Sequence, residues 1–257
     1  MEITDLIDAL RPRLDGALIA TDFDGTLAPL VPDPEASRPV PGAVDALVAL
    51  AGKGARIAVV TGREAAVAVR LGGLDAVPGI VVAGLYGVQT WSAGILHSPE
   101  SPPVVDALRA RLPEALDGAD PDVWIEDKGL SLVVHARRAA DPPAALAAVR
   151  APVTAIATEL GFEVHPGSGV LELQLPGAVD KGHALARLAE GRSAVLYLGD
   201  DLGDRPAFER IRRLRDAGQP AYSVGVLASG AAGLADAADV TVPDPAAVVA
   251  LLKALTR

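Results

Sequence analysis

Residues 17–26 read ALIATDFDGT, a short apolar run that leads directly into a polar cluster. The run is continuous rather than alternating, which is typical of a strand covered on both faces. The same arrangement recurs twice, at residues 57–63 and 194–201. Segments with helical spacing of apolar residues separate these runs. Alternating strands and helices predict a mostly parallel, doubly wound α/β sheet.

Three further apolar segments predict strands: Ile80 to Ala83, Tyr222 to Val226 and Val240 to Val242. Residues 76–99 form the longest window without a charge, and this window exceeds the roughly 20 residues that a membrane span needs. Glycines divide the window at short intervals, so we expect a buried strand followed by turns rather than a membrane span.

The middle third of the chain breaks this alternation and predicts an inserted second domain. Its expected elements are a helix (Val104 to Leu116), strands at Val123 to Glu126 and Leu130 to Ala136, a long helix, and strands at Phe162 to Val164 and Val170 to Leu175. The apolar face of the long helix is formed by Leu146, Val149, Val153, Ile156 and Leu160. The order helix, hairpin, helix, hairpin is typical of an open-faced α+β sandwich. We expect a core at 1–101 and 177–257 and an inserted domain at 102–176.

The composition limits the possible partners. The chain has 257 residues, a formal net charge of -10 and no cysteine. This negative charge argues against broad electrostatic binding to nucleic acid or to an anionic membrane. The absence of cysteine excludes disulfides, thiolate zinc sites and a cysteine nucleophile, and it fits a reducing, cytoplasmic compartment. We expect a monomer or a weak oligomer that acts on a small molecule.

Acidic residues follow two of the predicted buried strands. Ligands of open α/β sheets bind beyond the carboxyl ends of the strands, so Asp22, Asp24 and Asp200 are expected to meet there. Asp204 is a further candidate for the same cluster. Two carboxylates about 4 Å apart repel by roughly 1 to 4 kcal/mol, so a cation must lie among them. Oxygen ligands without clustered histidine favour Mg²⁺ over zinc.

With a phosphate bound at this edge, the same residues predict phosphoryl transfer. Asp22 can attack phosphorus to form an aspartyl-phosphate, and Asp24, two residues further along an extended segment, can serve as acid and base. Gly25 allows a tight turn whose backbone N–H groups would hold a phosphate oxygen. Thr61 and Lys181 offer a hydroxyl and a positive charge to the transferring group.

Some of these residues also have structural interpretations. Thr61 can cap the helix that begins near Arg63, and Asp201 and Asp204 can be acids in the first turn of a helix. We interpret Asp201 as structural and keep Asp204 as a metal-binding residue. The arginines between residues 205 and 215 are expected to form a solvated helix face rather than a nucleic-acid site.

Four motifs agree in order and spacing with those of a known superfamily. They are DFDGT at residues 22–26, the Thr61-Gly62-Arg63 cluster, the lysine of Asp180-Lys181-Gly182, and GDDLGD at residues 199–204. This pattern resembles the haloacid dehalogenase superfamily, and the presence of Asp24 implies its phosphatase branch. The resemblance implies a Rossmann-like core with an inserted α+β cap domain.

A narrower resemblance extends over most of the chain. The stretches DFDGTLAPL, IEDKGLSLVVH and VLELQLPG are similar to those of trehalose-6-phosphate phosphatases. By this resemblance Asp22 is the nucleophile and Asp24 the acid and base. Asp200 would bind Mg²⁺ together with Asp22 and the Asp24 carbonyl, and Asp204 would assist the metal.

The resemblance also implies a substrate site. Glu126, Lys128 and Glu172 match residues with which the family holds disaccharide hydroxyls, and Arg137 falls at a matching basic position. Without the resemblance, the first three are more readily interpreted as charge pairs across an exposed sheet. The candidate substrate-binding residues are Gly25, Thr26, Arg63, Glu126, Lys128, Arg137 and Glu172.

Departures from the family pattern leave other functions open. Tyr86 stands where the family usually has histidine, Gln89 replaces glutamate, Gln174-Leu175 replaces Arg-Pro, and Gly203-Asp204-Arg205 replaces Thr-Asp-Glu. The expected activity is Mg²⁺-dependent hydrolysis of trehalose 6-phosphate to trehalose and phosphate. A phosphatase of another sugar or pseudo-disaccharide phosphate, a phosphosugar phosphotransferase and a silent sugar-phosphate-binding regulatory domain are the alternatives.

Overall fold

A computed structural model describes residues 1–167, 169–177, 179–230 and 233–257 of the chain. In this structure the chain divides into two units. The larger unit comprises residues 1–98 and 179–257, and the inserted unit comprises residues 99–178. The boundaries expected from the sequence, 101/102 and 176/177, fall close to the observed 98/99 and 178/179.

The elements are numbered in chain order. The strands are β1 (Leu18–Thr21), β2 (Arg56–Val60), β3 (Val81–Gly84), β4 (Gln89–Ser92), β5 (Ile95–His97), β6 (Trp124–Asp127), β7 (Leu132–His135), β8 (Glu163–Gly167), β9 (Val170–Gln174), β10 (Val195–Gly199), β11 (Ala221–Val226) and β12 (Val240–Val242). The α-helices are α1 (Ile3–Leu10), α2 (Ala43–Gly52), α3 (Ala65–Gly72), α4 (Pro103–Arg111), α5 (Pro142–Glu159), α6 (Lys181–Leu188), α7 (Arg205–Asp216), α8 (Leu234–Ala237) and α9 (Pro245–Leu255).

In the larger unit, the described strands form one sheet in the order β12-β11-β10-β1-β2-β3-β4-β5. Pairing is parallel from β12 to β3. Alternate residues of a strand enter different cores: Ile19 and Leu196 pack on one face of the sheet, and Leu18 and Tyr197 pack on the other. Because both faces are covered, the strands are apolar throughout. The doubly wound α/β fold is confirmed.

The sheet continues past β3 with two antiparallel strands, β4 and β5. The prediction that only turns follow the buried strand in residues 76–99 is therefore wrong. These strands are four and three residues long, lie at the sheet edge and leave Ile95 and Leu96 exposed. Short edge strands of mixed polarity lack the continuous apolar run that marks a buried strand.

The inserted unit has an antiparallel sheet in the order β6-β7-β9-β8, with apolar side chains of α4 and α5 in its core. The first helix is shorter than predicted: α4 ends at Arg111, and residues 112–116 form a 3₁₀ turn because Pro113 has no N–H to continue the α-helical pattern. The second helix, α5, ends at Glu159, so Leu160 lies beyond it and Ala157 takes a place in the buried face.

One face of this sheet is polar. Side chains of directly opposed residues on neighbouring strands share a face of the sheet. Trp124 lies opposite His135, and Val133 lies opposite both Glu126 and Glu172, so the two glutamates share one face. The other face carries the apolar side chains that enter the core of the unit. Within the described part of the chain, no helix is both long enough and apolar enough to span a membrane.

Candidate active site

Three carboxylates meet at the carboxyl edge of the parallel sheet. Asp22, Asp200 and Asp204 each place a carboxylate oxygen within 4.8 Å of the others, and all three residues are buried. Asp22 follows β1 and Asp200 follows its neighbour β10, and the Asp22 N–H donates to the Leu198 carbonyl at 2.8 Å. The parallel register therefore places these two side chains together, as the sequence predicts.

Lys181 supplies a positive charge to this cluster. It is the first residue of α6, and its Nζ lies 2.8 Å from Asp22 Oδ2 and 2.7 Å from Asp204 Oδ1. The side chain is 3% exposed. Asp180 caps α6 by accepting the His183 N–H at 2.8 Å, which fixes the backbone from which the lysine extends.

Asp204 accepts hydrogen bonds on both carboxylate oxygens. Oδ1 accepts from Lys181 Nζ and, at 2.6 Å, from the Tyr197 hydroxyl. Oδ2 accepts from the backbone N–H of Asp200 at 2.8 Å and of Asp201 at 3.1 Å. Asp201 in turn caps the 3₁₀ turn at residues 202–204, in agreement with its structural interpretation. Asp204 thus joins the loop after β10 to Lys181.

Two glycines allow these carboxylates to approach the backbone. Gly25 has φ of +74°, a region that favours glycine, and a Cβ there would lie 2.0 Å from Asp200 Oδ2. A Cβ on Gly199 would lie 2.3 Å from the Asp204 carboxylate carbon. Neither position has room for a side chain while the acids keep their places. Thr26 borders the same region, with Oγ1 3.4 Å from Asp200 Oδ1.

Asp24 is bound apart from the three clustered acids. Its Oδ2 accepts from Arg63 Nε at 2.6 Å, and its Oδ1 accepts from Arg63 Nη2 and from Ser37 Oγ, both at 2.8 Å. β1 ends at Thr21, so the strand alternation invoked for Asp22 and Asp24 does not extend to them. Arg63, expected to bind substrate, is here the bidentate partner of Asp24.

Thr61 follows β2 and is buried. Its Oγ1 accepts the Arg63 N–H at 3.2 Å. The next helix, α3, begins at Ala65 after its N-cap Glu64, so Thr61 is not its cap and that alternative is wrong. The Ala65 N–H instead donates to the Gln89 side chain at 3.0 Å, which gives the substituted Gln89 a role at the start of α3.

Burial and mutual repulsion dominate the electrostatics of the cluster. Burial, with repulsion from Asp204, raises the pKa of Asp22 well above its ordinary value although Lys181 opposes the shift. Burial, with repulsion from Asp201 and Asp204, raises the pKa of Asp200 from 3.8 to about 7. Burial alone would lower the pKa of Lys181, but attraction to Asp204 and Asp22 raises it well above its usual range.

The donor set fits a hard divalent cation. Asp22, Asp200 and Asp204 offer only oxygen, and one ammonium group cannot balance three ionised carboxylates. Burial, followed by repulsion from Asp201 and Asp204, raises the pKa of Asp200 to about 7, and a bound cation would oppose this shift. Asp22 and Asp200 are the better ligands, because both oxygens of Asp204 already accept two hydrogen bonds each.

We expect the protein in EDTA to lose stability as the pH rises from about 4 to 7. With a pKa near 7, Asp200 keeps its proton in the folded state while the unfolded chain releases it near 3.8, so rising pH favours unfolding. The melting temperature should fall by about 4 °C or more between pH 5 and pH 8, measured by circular dichroism. Asp200→Asn should reduce this fall, and Asp45→Asn, at an exposed position, should not. Equal profiles for all three proteins would contradict the assignment.

In the inserted unit, two of the predicted substrate residues, Glu126 and Glu172, lie on the polar face of the sheet, and Lys128 and Arg137 follow the ends of β6 and β7. Glu126 Oε2 lies 2.8 Å from His135 Nε2, and Lys128 Nζ lies 3.6 Å from Glu172 Oε1. The hydrogen bond from His135 lowers the pKa of Glu126. Charge pairing across strands is thus present, as the structural interpretation predicts, and it is compatible with a binding role.

Neighbours of these residues add to the polar face. Trp124 stacks on His135, with ring centroids 4.6 Å apart, and the Arg138 guanidinium carbon lies 4.3 Å from the Trp124 ring centroid. Arg137 is adjacent in sequence, and a Cβ on Gly169 would lie 2.9 Å from its Cγ. Trp124 and Arg138 are not among the site residues predicted from the sequence.

Sequence reasoning also missed Ser37 and Tyr197. Ser37 is buried in the segment after β1 and donates to Asp24, but no motif surrounds it. Tyr197 lies within the apolar run AVLYL at residues 194–198, which predicts a buried strand and no site residue. The sequence feature that could have identified Tyr197 is its hydroxyl. A buried tyrosine hydroxyl requires a hydrogen-bond partner, and such partners are scarce in a core strand.

The parallel sheet, the polar clusters after β1, β2 and β10, and the inserted unit define an α/β protein with the fold of a solved haloacid dehalogenase-like hydrolase from Bacteroides thetaiotaomicron. That structure superposes with a TM-score of 0.57 at 16% identity, covering 92% of this chain and 98% of that chain. The family model for trehalose-phosphatase matches residues 20–236. The chain therefore belongs to the trehalose-phosphatase family.

A curated relative agrees with this membership. A trehalose-phosphate phosphatase of Mycobacterium avium (strain 104) is 35% identical over 244 residues, 88% of this chain and 59% of the relative. The chain thus spans about three fifths of the length of this relative.

Two solved structures show the same fold. The C-terminal domain of Candida albicans trehalose-6-phosphate phosphatase superposes with a TM-score of 0.76 at 21% identity, covering 100% of this chain and 97% of that chain. The C-terminal domain of the Candida albicans trehalose synthase regulatory protein superposes with a TM-score of 0.68 at 12% identity, covering 98% of each.

Proposed function

We propose that the protein is a Mg²⁺-dependent phosphatase that hydrolyses trehalose 6-phosphate. The observation that carries the proposal is the buried Asp22 carboxylate, held by Lys181 at 2.8 Å beside Asp200 at the carboxyl edge of the sheet. A nucleophile, a cation for the transferring group and an oxygen-ligand pair are thereby collected in one place. Family membership supports the substrate.

In the first step, a carboxylate oxygen of Asp22 attacks phosphorus, and the bond from phosphorus to the sugar oxygen breaks. The leaving oxygen takes a proton from Asp24, and Asp22 becomes an aspartyl-phosphate. In the second step, water gives a proton to Asp24 and attacks phosphorus, which releases orthophosphate and restores Asp22. Asp24 must first separate from Arg63, because that guanidinium binds both of its carboxylate oxygens.

Mg²⁺ would be held by Asp22, Asp200 and the Asp24 carbonyl, where it would offset the negative charge of phosphate and carboxylates. Lys181 and the Thr61 hydroxyl orient the phosphoryl group from the protein side. The Gly25 N–H donates to the Ala28 carbonyl at 2.7 Å, so the phosphate-binding role expected for it passes to the Thr26 backbone N–H of the same turn.

We assign sugar recognition to the inserted unit, with Glu126, Lys128, Arg137 and Glu172 as its binding residues. Their support is the polar sheet face, where Glu172 Oε1 is buried, lies 3.6 Å from the Lys128 ammonium and has no hydrogen-bond partner among the residues that the structure describes. A sugar hydroxyl can supply the missing donor. A cytoplasmic enzyme, monomeric or weakly oligomeric, fits the acidic, cysteine-free composition.

Substitutions at Tyr86, Gln89, Gln174 and Arg205 favour a related sugar phosphate as the second candidate substrate. Tyr86 has φ of +59°, and a Cβ on Gly62 would lie 2.9 Å from its hydroxyl, so its ring borders the Thr61-Gly62-Arg63 turn. A phosphosugar phosphotransferase is the other enzymatic alternative. The Candida albicans regulatory protein has the same fold, but the intact Asp22 and Asp24 argue against a silent domain.

A phosphate-release assay on a panel of sugar phosphates tests this function. We expect Mg²⁺-dependent release of orthophosphate, with the highest kcat/KM for trehalose 6-phosphate among that compound, sucrose 6-phosphate and glucose 6-phosphate. Product analysis should recover free sugar and orthophosphate in equal amounts. A preferred substrate other than trehalose 6-phosphate would redirect the assignment, and phosphoryl transfer to a second sugar would identify a phosphotransferase.

The same assay with Glu126→Ala tests the recognition site. KM for trehalose 6-phosphate should rise at least about tenfold, while KM for p-nitrophenyl phosphate should remain within about twofold. Glu163→Ala, at an exposed position of β8, is the matched control. Equal changes in KM for both substrates would remove Glu126 from the sugar site.

A further inference from the structure

Tyr197 belongs to a buried chain of hydrogen bonds that ends at the nucleophile. Its hydroxyl donates to Asp204 Oδ1 at 2.6 Å, and the same oxygen accepts from Lys181 Nζ at 2.7 Å. Lys181 Nζ then lies 2.8 Å from Asp22 Oδ2. None of the motifs that identify the family assigns a role to this tyrosine hydroxyl.

The position of the hydroxyl is set by core packing rather than by the loop. Tyr197 lies in the middle of β10, is fully buried, and packs edge-on against Phe208 of α7 with ring centroids 5.8 Å apart. Because the ring is packed between a strand and a helix, it has one orientation, and its hydroxyl oxygen therefore has one position. The hydroxyl is therefore a fixed donor in the core, close to loops that bear the site.

Asp204 connects the fixed Tyr197 hydroxyl to Lys181. A carboxylate has about four acceptor positions, and here all are used: two by Tyr197 and Lys181, and two by backbone N–H groups of the loop after β10. A carboxylate bound in this way cannot rotate. The lysine ammonium consequently has one anchored partner, Asp204, and one reacting partner, Asp22.

We propose that Tyr197 is a positioning residue that, through Asp204, holds the Lys181 ammonium beside the nucleophile. This inference deepens the proposed phosphatase function and rests on it. Without the hydroxyl, Asp204 Oδ1 keeps only the lysine, and the carboxylate and the ammonium can shift together away from Asp22. The loss would appear in kcat more than in KM, because orientation during transfer is affected more than binding.

Tyr197→Phe removes the oxygen and keeps the ring. We expect kcat for p-nitrophenyl phosphate to fall about tenfold while KM changes less than about threefold, as for the loss of one positioning hydrogen bond. Tyr222→Phe, on the neighbouring strand β11 and half-buried, is the matched control and should keep the wild-type kcat. A kcat for Tyr197→Phe equal to that of the control would overturn the proposal.

A spectroscopic measurement separates positioning from a general loss of structure. Lys181 is the one buried lysine of four in the chain, so with ¹⁵N-lysine labelling its ammonium should give the one resonance protected from solvent exchange. That resonance should shift or broaden in Tyr197→Phe and stay unchanged in Tyr222→Phe. A reduced kcat with an unchanged ammonium resonance would also overturn the proposal, since the effect would not pass through Lys181.

Two further outcomes are distinguishable. If the wild-type protein releases no phosphate from any ester, the proposed function fails, and the ammonium comparison still decides whether Tyr197 positions Lys181. If Tyr197→Phe does not fold, the wild-type protein provides the test. A nuclear Overhauser effect between the Tyr197 hydroxyl proton and the Lys181 ammonium protons is then expected, and its absence would refute the arrangement.

Discussion

Asp22→Asn is expected to fold normally and to lose phosphatase activity by at least about 10⁴-fold. The amide is nearly the same size as the carboxylate but cannot attack phosphorus. Lys181 keeps Asp204 as an ionic partner at 2.7 Å, so the substitution does not leave a buried ammonium alone. Phosphate release from trehalose 6-phosphate measures the activity, and circular dichroism measures the fold.

The control for this variant is Asp45→Asn on the exposed side of α2, which makes the same change in charge and should retain full activity. Mass spectrometry should verify that the asparagine at position 22 has not deamidated. Turnover by a verified Asp22→Asn protein at more than about one hundredth of the wild-type rate would refute Asp22 as the nucleophile.

Lys181→Met is expected to lower both stability and activity. The variant leaves Asp22 and Asp204 buried without the ammonium that bonds to each, and breaking a buried ion pair costs about 3 to 5 kcal/mol of unfolding free energy. Urea unfolding in EDTA at pH 8 measures this loss. We also expect kcat to fall about 10³-fold, because a charge aimed at the transferring group is removed.

Lys253→Met, in the exposed last turn of α9, is the matched control and should change neither quantity. If the unfolding free energy of Lys181→Met lies within about 1 kcal/mol of that of the control, the buried ion pairs do not stabilise the larger unit as proposed. Lowering the pH toward 5 should partly restore the stability of Lys181→Met, since protonation neutralises the unpaired acids.

The fold could be predicted wherever burial leaves a continuous apolar run. β1, β2 and β10 are covered on both faces, so their positions follow from composition and their parallel order from the intervening helices. β4 and β5 could not be found in this way, because they are short strands at the edge of the sheet and one of them is exposed. β4 pairs with β3 and β5 pairs with β4, and no local sequence pattern specifies this pairing.

The site could be predicted as far as topology determines it. Asp22 and Asp200 meet because each follows a strand of the same parallel sheet. The pairing of Asp24 with Arg63 and Ser37 depends on how the chain turns after β1 ends, which depends on tertiary contacts. The role of Tyr197 likewise depends on a hydrogen bond that spans seven residues and a turn.

The crowding at Gly25 has a consequence for experiments that search for important residues by activity alone. Any side chain there would collide with Asp200, so Gly25→Ala should silence the enzyme although glycine contributes no chemical group. In a screen that substitutes every residue, substitutions at position 25 would reduce activity about as much as substitutions at Asp22. Ranking by lost turnover therefore identifies space that must stay empty as readily as atoms that react.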